Sequence, residues 1–271
     1  MWKHALSDRM QAVVGLVADC NCIADIGCDH GYVAMELVRR GTCKHVIAMD
    51  VNQGPLARAE SNIKDYVMSE YIETRLSNGT DALKKGEVEG IICAGMGGKL
   101  IISILEKGRD VISDMKQLIL QPQSEIDEVR EYLRNSGFII DKEDMVCEEG
   151  KYYPMMRVIV GDFGKQESQM ADNLTEKRKK SAVNGVTPPD ISELSVEENR
   201  KLIRIQDTYG PYLLANSHPV LKQYLLWKKE NLDNIRENLV KQKQQTMRQQ
   251  YRIAELDTEL GDIVFCLYSY F

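Results

Sequence analysis

The sequence predicts an α/β protein: a mostly parallel sheet covered by helices over residues 1–162, then a helical region over 163–271. Three observations point there. Short continuous apolar runs alternate with amphipathic stretches up to about residue 160, the pattern of strands buried on both faces. Composition shifts after residue 161, where "GDFGKQESQMADNLTEKRKKSAVNGVTPPDISELSVEENRK" carries a single aromatic, Phe163. Beyond it, apolar residues from Val220 to Met247 recur at close to 3.5-residue spacing.

The elements follow in order. "CIADIG" (22–27) is a strand and Tyr32–Arg40 a helix. "HVIAMDV" (45–51) is the second strand. "GPLARAESNIKDYV" (54–67) is a helix with Pro55 in its first turn, where no backbone N–H is needed. "IETRLSN" (72–78) alternates with period two. "GIICAGM" (90–96) is a buried strand before a helix over Gly98–Lys107, and "QLILQP" (117–122) is the next strand. "SEIDEVREYLRNSG" (124–137) reads as a helix capped by Ser124 and stopped by Gly137. Two strands in "FIIDKEDMVCEEGKYYPMMRVIVG" (138–161) form a hairpin and bring the strand count to seven. In the second region "YGP" (209–211) separates two helices. The second runs unbroken from His218 to about Leu256, which suggests an antiparallel coiled-coil hairpin.

With 271 residues, 43% of them hydrophobic, the chain is large enough to bury a proper core. No apolar run approaches the roughly 18–20 residues of a membrane span. The start "MWKHALSDRMQAVVGLV" has no signal-peptide layout, so a cytoplasmic protein without a membrane partner is expected. Of seven cysteines only Cys20, Cys22 and Cys28 cluster, and no second cluster follows at zinc spacing, so reduced thiols and no metal are expected. The net charge of -6 speaks against nucleic acid only in bulk, because a local basic face is what meets phosphates.

The turn in "ADIGCDHGYVAMELV" (24–38) is the main functional signal. In a parallel sheet, ligands bind outside the carboxyl ends of the strands. Here Asp25 ends a strand, Gly27 and Gly31 shape the turn, and Asp29 and His30 crowd it. Three closely spaced glycines would suit a pyrophosphate on a helix N-terminus. Acidic groups repel a diphosphate but suit an ammonium and a sulfonium, which favours S-adenosylmethionine over NAD. Asp50, followed by Val51 and Asn52, stands where a carboxylate accepts both ribose hydroxyls. In "SNGTDAL" (77–83), Asn78 is placed for an adenine amino group and Gly79 for close approach. Ala94, Gly95 and Met96 of "AGMGG" (94–98) leave room for a flat group over the backbone. The Asp/Asn-Pro-Pro-aromatic motif of enzymes that methylate exocyclic amino groups is not present there.

"LSDRM", "ADIGCDHGY", "AGMGGKLI", "LILQPQ" and "YGPYLL" together resemble the TrmK family, the bacterial tRNA (adenine(22)-N1)-methyltransferases. The resemblance spans about residues 6–160 and 205–256. It implies a Rossmann-like class I methyltransferase domain with a C-terminal coiled-coil domain, S-adenosylmethionine as cofactor, and N1 of an adenine in tRNA as acceptor. The family commonly carries Asp where Asn78 stands and Asn where Gln123 stands; both residues here keep a side-chain carbonyl.

N1 of adenine carries an in-plane lone pair, so the site has to align it with the methyl group rather than deprotonate it. An acceptor for N6–H would both orient the ring and stabilise its developing charge. Asp29, His30, Gln121 and Gln123 are the candidates, with Tyr32 as a stacking ring and Arg9, beside Asp8, at the pocket rim. Between Lys222 and Arg252 there are eight Lys/Arg and three acids. That stretch, with Lys228, Lys229, Arg236, Lys241 and Lys243, reads as an arm for tRNA phosphates, and "EKRKK" (176–180) adds to it. The alternative is a methyltransferase acting on a protein or small molecule, with the coiled coil used for dimerisation. A monomer is the expectation for the tRNA reading.

Overall fold

A computed structural model describes residues 6–160, 195–242 and 244–271. The chain divides into two units, Met1–Gln166 and Glu167–Phe271. The domain boundary expected at 162/163, the "EKRKK" segment and Lys243 lie outside the described residues.

The first unit runs α1 (Asp8–Leu16), β1 (Cys20–Ile26), α2 (Tyr32–Arg40), β2 (Cys43–Asp50), α3 (Gln53–Asp65) and β3 (Ile72–Leu76). It continues with β4 (Gly90–Met96), α4 (Gly98–Lys107), α5 (Arg109–Ile112), β5 (Gln117–Pro122), α6 (Ile126–Asn135), β6 (Ile139–Glu148) and β7 (Lys151–Ile159). All seven strands join one sheet in the order β3-β2-β1-β4-β5-β7-β6. β1 to β5 pair in parallel, and β7 lies antiparallel between β5 and β6. The chain winds outward from β1 to β3 and returns to place β4 beside β1. That reversal is the switch point at which open α/β sheets bind ligands.

The apolar runs are continuous because both faces are covered, and side chains alternate between the faces with period two. Ala24, Ile26, Ile47, Met49, Ile91, Cys93, Leu118 and Leu120 pack with Ile101, Leu105, Val129 and Leu133 of α4 and α6. Their alternates Ile23, Val46, Ala48, Ile92 and Ile119 pack with Val13, Leu16, Ala34, Leu37, Ala59 and Ile63 of α1, α2 and α3. Arg130 of α6 and Glu143 of β6 form a buried ion pair at 2.8 Å.

Two local expectations are corrected in this unit. Ser124 does not cap α6. Its Oγ donates to Glu125 Oε2 at 2.5 Å, while Glu125 is the N-cap and holds φ 46. β1 and β2 also begin two residues earlier than expected, which places Cys20 opposite Cys43 in the parallel register.

The second unit contains α7 (Val196–Tyr209), α8 (Pro211–Ala215), α9 (Pro219–Val240) and α10 (Met247–Tyr270). Ser195 and Glu198 form a reciprocal capping box at the start of α7. The helix expected to run from His218 to about Leu256 breaks instead after Val240. Thr246 and Gln249 build a second capping box that starts α10. The "YGP" break leads only into the short α8, and the antiparallel pair is α9 against α10. Lys228–Glu259 (2.6 Å) and Arg236–Asp257 link the two. Leu221, Leu225 and Leu232 of α9 and Leu256, Leu260, Ile263 and Cys266 of α10 are buried.

Candidate functional site

The carboxyl edge of β1 to β5 collects the residues that the sequence singled out. Asp25 is buried, and its Oδ2 has no hydrogen-bond partner. Burial, with Asp50 second, pushes its carboxyl up from an ordinary 3.8 to about 7. The N–H groups of Gly27 and Cys28 both donate to Met49 O, at 2.8 and 3.0 Å, which fastens the turn to the end of β2. Gly27 takes φ 77, and a Cβ there would stand 2.5 Å from Met96 Cε. The left-handed φ favours glycine, and a Cβ would also have to displace the Met96 methyl group.

Asp29 holds φ 43, an uncommon conformation for a residue other than glycine. Its Oδ1 accepts from Arg58 Nη2 at 2.9 Å, and its Oδ2 lies 3.5 Å from His30 Nε2. Asn62 Nδ2 donates to His30 O at 2.9 Å, so α3 steadies the turn from outside. The rings of His30 and Tyr32 stack with centroids 5.5 Å apart.

At the end of β2, Asp50 is buried and its Oδ1 accepts the N–H of Asn52 at 2.8 Å. Val51 and Asn52 are exposed beside it. After β3, Ser77 Oγ donates to Gly79 O at 2.9 Å, holding the turn in which Asn78 is exposed. At the end of β4, the register with β5 shifts between Ala94 and Met96, and Gly95 takes φ 78.

Gln121 is fully buried and its amide is engaged on both sides. Its Oε1 accepts from Gly95 N at 3.0 Å and from Arg9 Nη1 at 3.5 Å, and its Nε2 donates to Pro122 O at 3.2 Å. It therefore braces the Gly95 turn instead of facing a substrate. Gln123 is exposed, and its Nε2 lies 3.6 Å from where a Gly95 Cβ would stand. Arg9 reaches this corner from α1. It lies 4.9 Å over the Tyr153 ring, its Nε is 3.8 Å from Glu148 Oε2, and its backbone N–H donates to Glu148 Oε1 at 3.3 Å.

The structure thus brings together Asp25, Gly27, Asp29, His30, Tyr32, Asp50, Val51, Asn52, Asn78, Gly79, Ala94, Gly95, Met96, Gln121 and Gln123, with Arg9 adjoining. Reading the sequence missed Arg58, Asn62, Glu148 and Tyr153. The first two sit on an exposed-looking helix face, and the last two come from a hairpin distant in sequence. Neither group carries a local motif.

The basic residues of the second unit are engaged in their own ion pairs. Lys228 lies between the Tyr209 and Tyr224 rings (5.5 and 5.6 Å) and pairs with Glu259 at 2.6 Å, with 19% of its side chain exposed. The expectation that Lys228 grips phosphate is corrected: it is a packing residue. Lys229 pairs with Asp233 at 2.7 Å, Arg236 with Asp257, and Lys241 with Glu237 at 3.0 Å.

The cofactor edge fits S-adenosylmethionine on its own chemistry. Asp25 offers a buried acceptor without a partner, Asp50 a carboxylate at a strand end, and Gly27, Gly79 and Gly95 tight turns with positive φ beside them. Among the described residues no cluster of three or more His, Cys, Asp or Glu is placed to hold a metal ion.

A parallel five-strand core with ligand groups at its switch-point edge, closed by an antiparallel pair, defines the Rossmann-like methyltransferase class. The methyltransferase-domain family model matches residues 6–156, and the chain belongs to that family. The TrmK resemblance is borne out within it. The chain is 34% identical over 157 residues to the tRNA (adenine(22)-N(1))-methyltransferase of Bacillus subtilis (strain 168), covering 58% of this chain and 66% of that relative. The match thus spans just under two thirds of that relative's length. The crystal structure of the B. subtilis m1A22 tRNA methyltransferase TrmK aligns with TM-score 0.74 and 25% identity, covering 97% of this chain and 99% of that one. Streptococcus pneumoniae Sp1610 in complex with S-adenosyl-L-methionine aligns with TM-score 0.72 and 28% identity, covering 97% and 100%.

Proposed function

We propose that this chain transfers a methyl group from S-adenosylmethionine to N1 of an adenine in tRNA, adenine 22 by its likeness to the B. subtilis enzyme. The observation that carries the reading is the carboxyl edge of β1, β2 and β4, where the Asp25 acceptor, the Asp50 carboxylate and the open Gly95 turn lie together. Asp25, Gly27, Asp29, His30, Asp50, Val51, Asn52, Asn78, Gly79, Ala94, Gly95 and Met96 are the residues proposed to hold the cofactor.

When bound, S-adenosylmethionine supplies an electrophilic methyl group on a sulfonium. Asp50 accepts the ribose hydroxyls, and Asp25 turns its open Oδ2 toward positive charge. Asn78 meets the adenine amino group of the cofactor. Gln123, exposed at the end of β5, presents its carbonyl to N6–H of the target base, and the His30–Tyr32 stack offers a ring face. Gln121 and Arg9 hold the Gly95 turn so that these groups keep their alignment. The N1 lone pair forms the new N–C bond as the S–C bond breaks, and its electron pair stays on sulfur. Positive charge moves onto the adenine, where the Asp29 carboxylate stabilises it. No base is needed before transfer.

In the helical unit, Lys229, Arg236 and Lys241 are the proposed phosphate contacts. Exposed ion pairs of this kind are worth about 0–1 kcal/mol, so a phosphate can displace the acid partner. No helix among the described residues is long and apolar enough to cross a membrane, and a monomer in the cytoplasm, where tRNA is, is the proposed setting. Mass spectrometry of nucleosides from tRNA incubated with the protein and labelled S-adenosylmethionine tests the reading. Label in 1-methyladenosine is expected. Label at an exocyclic amine, or in protein alone, refutes it.

A further inference from the structure

We propose that Cys20 and Cys43 form a modification site, a thiol pair that closes to a disulfide on meeting a low-molecular-weight disulfide. Neither residue has a part in the proposed methyl transfer, and the inference is independent of it. Cys20 opens β1 and Cys43 opens β2, and the two stand opposite each other in the parallel register. Neighbouring strands lie about 4.8 Å apart, inside the range of Cα separations that a disulfide spans. The two sulfurs are already 3.1 Å apart, so bond formation needs little backbone movement.

The two thiols differ in access. Cys20 is half-exposed, whereas Cys43 is buried. The hydrogen bond between the two sulfurs holds the Cys20 thiol below its usual range, against burial and the nearby Glu89 and Asp19 carboxylates. The charge of Lys116 acts in the same direction as that hydrogen bond. The same contact and burial push Cys43 up. Cys20 is therefore the attacking thiolate and Cys43 the resolving thiol.

The exchange balances in two steps. The Cys20 thiolate attacks one sulfur of RS–SR, forming Cys20–S–SR and releasing RS⁻. Cys43 then loses its proton to the released thiolate, attacks Cys20 Sγ, and expels the second RS⁻, which takes up the Cys20 proton from solvent. The protein loses two hydrogens and RS–SR becomes two RSH.

The remaining cysteines lack this arrangement. Cys22 faces His45 in the register, and burial raises its thiol to about 11. Cys147 is exposed but faces Tyr152. Cys28, Cys93 and Cys266 are buried. The bond would close a loop over residues 20–43 at the amino ends of the strands, opposite the edge that holds Asp25 and Asp50, so the fold tolerates it.

The test is incubation of the full chain with oxidised glutathione, followed by non-reducing peptide mapping. The expected product links Cys20 to Cys43, with glutathione on Cys147 as an internal control for reagent access. Cys43→Ser should stop at a glutathione adduct on Cys20, and Cys20→Ser should leave Cys43 unmodified. Oxidised wild-type protein should unfold at a higher temperature, an increase reversed by dithiothreitol and absent from Cys43→Ser. A free Cys20 beside a fully modified Cys147 overturns the proposal, as does a Cys20–Cys22 bond.

Discussion

Asp25→Asn should stabilise the ligand-free protein at alkaline pH while abolishing its affinity for a cationic ligand. The Asp25 carboxyl is buried, has an oxygen without a partner, and lies near a second buried carboxylate. Its value is raised from 3.8 to about 7 on folding. The native state therefore binds more protons than the unfolded chain between those values, and stability falls as pH rises through that window. Below the lower value both states are protonated and nothing is lost. Above the upper value both are ionised, and the loss is complete at about 4 kcal/mol, since each unit is worth about 1.4 kcal/mol. At pH 5 the loss is under about 2 kcal/mol by the same linkage. Asparagine removes the charge but leaves a buried amide, which costs about 1–3 kcal/mol at any pH. The informative quantity is the change between pH 5 and pH 8 in the stability difference between variant and wild type, expected at about 2–3 kcal/mol in favour of the variant. Urea unfolding followed by the fluorescence of a probe on Cys147, in the same unit, measures it. A stability difference equal at both pH values would show that Asp25 is ionised with a hidden counter-charge, and would refute the reasoning.

Asp50→Ala should weaken S-adenosylmethionine binding by about 1.5–3 kcal/mol, the range for hydrogen bonds to a charged group, with circular dichroism unchanged; calorimetry showing unaltered affinity would reject the ribose assignment. Glu143→Ala should destabilise the first unit by about 3–5 kcal/mol, because it breaks the buried Arg130–Glu143 ion pair by removing one half of it, whereas the double change Arg130→Met/Glu143→Leu should cost less; urea midpoints distinguish the two. Lys229→Ala/Lys241→Ala should reduce the slope of log affinity for tRNA against log salt by up to about 2. Lys228→Ala should leave that slope unchanged and lower the unfolding temperature of the helical unit.

Much of the sheet was legible because both of its faces are covered. A strand buried on two sides has to be apolar throughout, so "GIICAGM" and "QLILQP" announce their own ends, and β4 and β5 occupy those residues. α2 and α4 also begin and end where the glycines and the periodicity place them. The capping of α6 was not legible. Ser124 stands one residue before the N-cap and spends its hydroxyl on Glu125 instead of on the helix. Strand-end acids were legible as a set, since a ligand edge collects residues at a fixed topological position. The bracing of Gly95 by Gln121 and Arg9 was not, because it joins residues 112 apart in sequence through a side-chain amide. Gln121 and Gln123 look alike in the sequence, yet Gln121 is a fully buried residue of β5 whereas Gln123 lies just past the strand, which stops at Pro122, and is exposed.

The helical unit shows why a charge count along one segment is a poor guide to a phosphate-binding face. The excess of cations between Lys222 and Arg252 is real in sequence, but α9 does not meet solvent alone. The break after Val240 turns the chain back, and α10 returns with Asp257, Glu259 and Asp262 against α9 and α7. Lys228 is matched across that interface at 2.6 Å, and Arg204 is matched by Asp262 at 2.8 Å. An unbroken helix would have carried those acids further along its own axis instead of back against α9. The break after Val240 sets the local charge balance by bringing Glu259 to Lys228 and Asp257 to Arg236. The signal for it was present as Thr246 and Gln249, a capping box placed where the apolar spacing lapses after Val240. What remains for phosphate is therefore selected by exposure and by the weakness of the existing pair. Lys241, with 71% of its side chain exposed and only an i,i+4 partner, meets both conditions, and Lys228 meets neither.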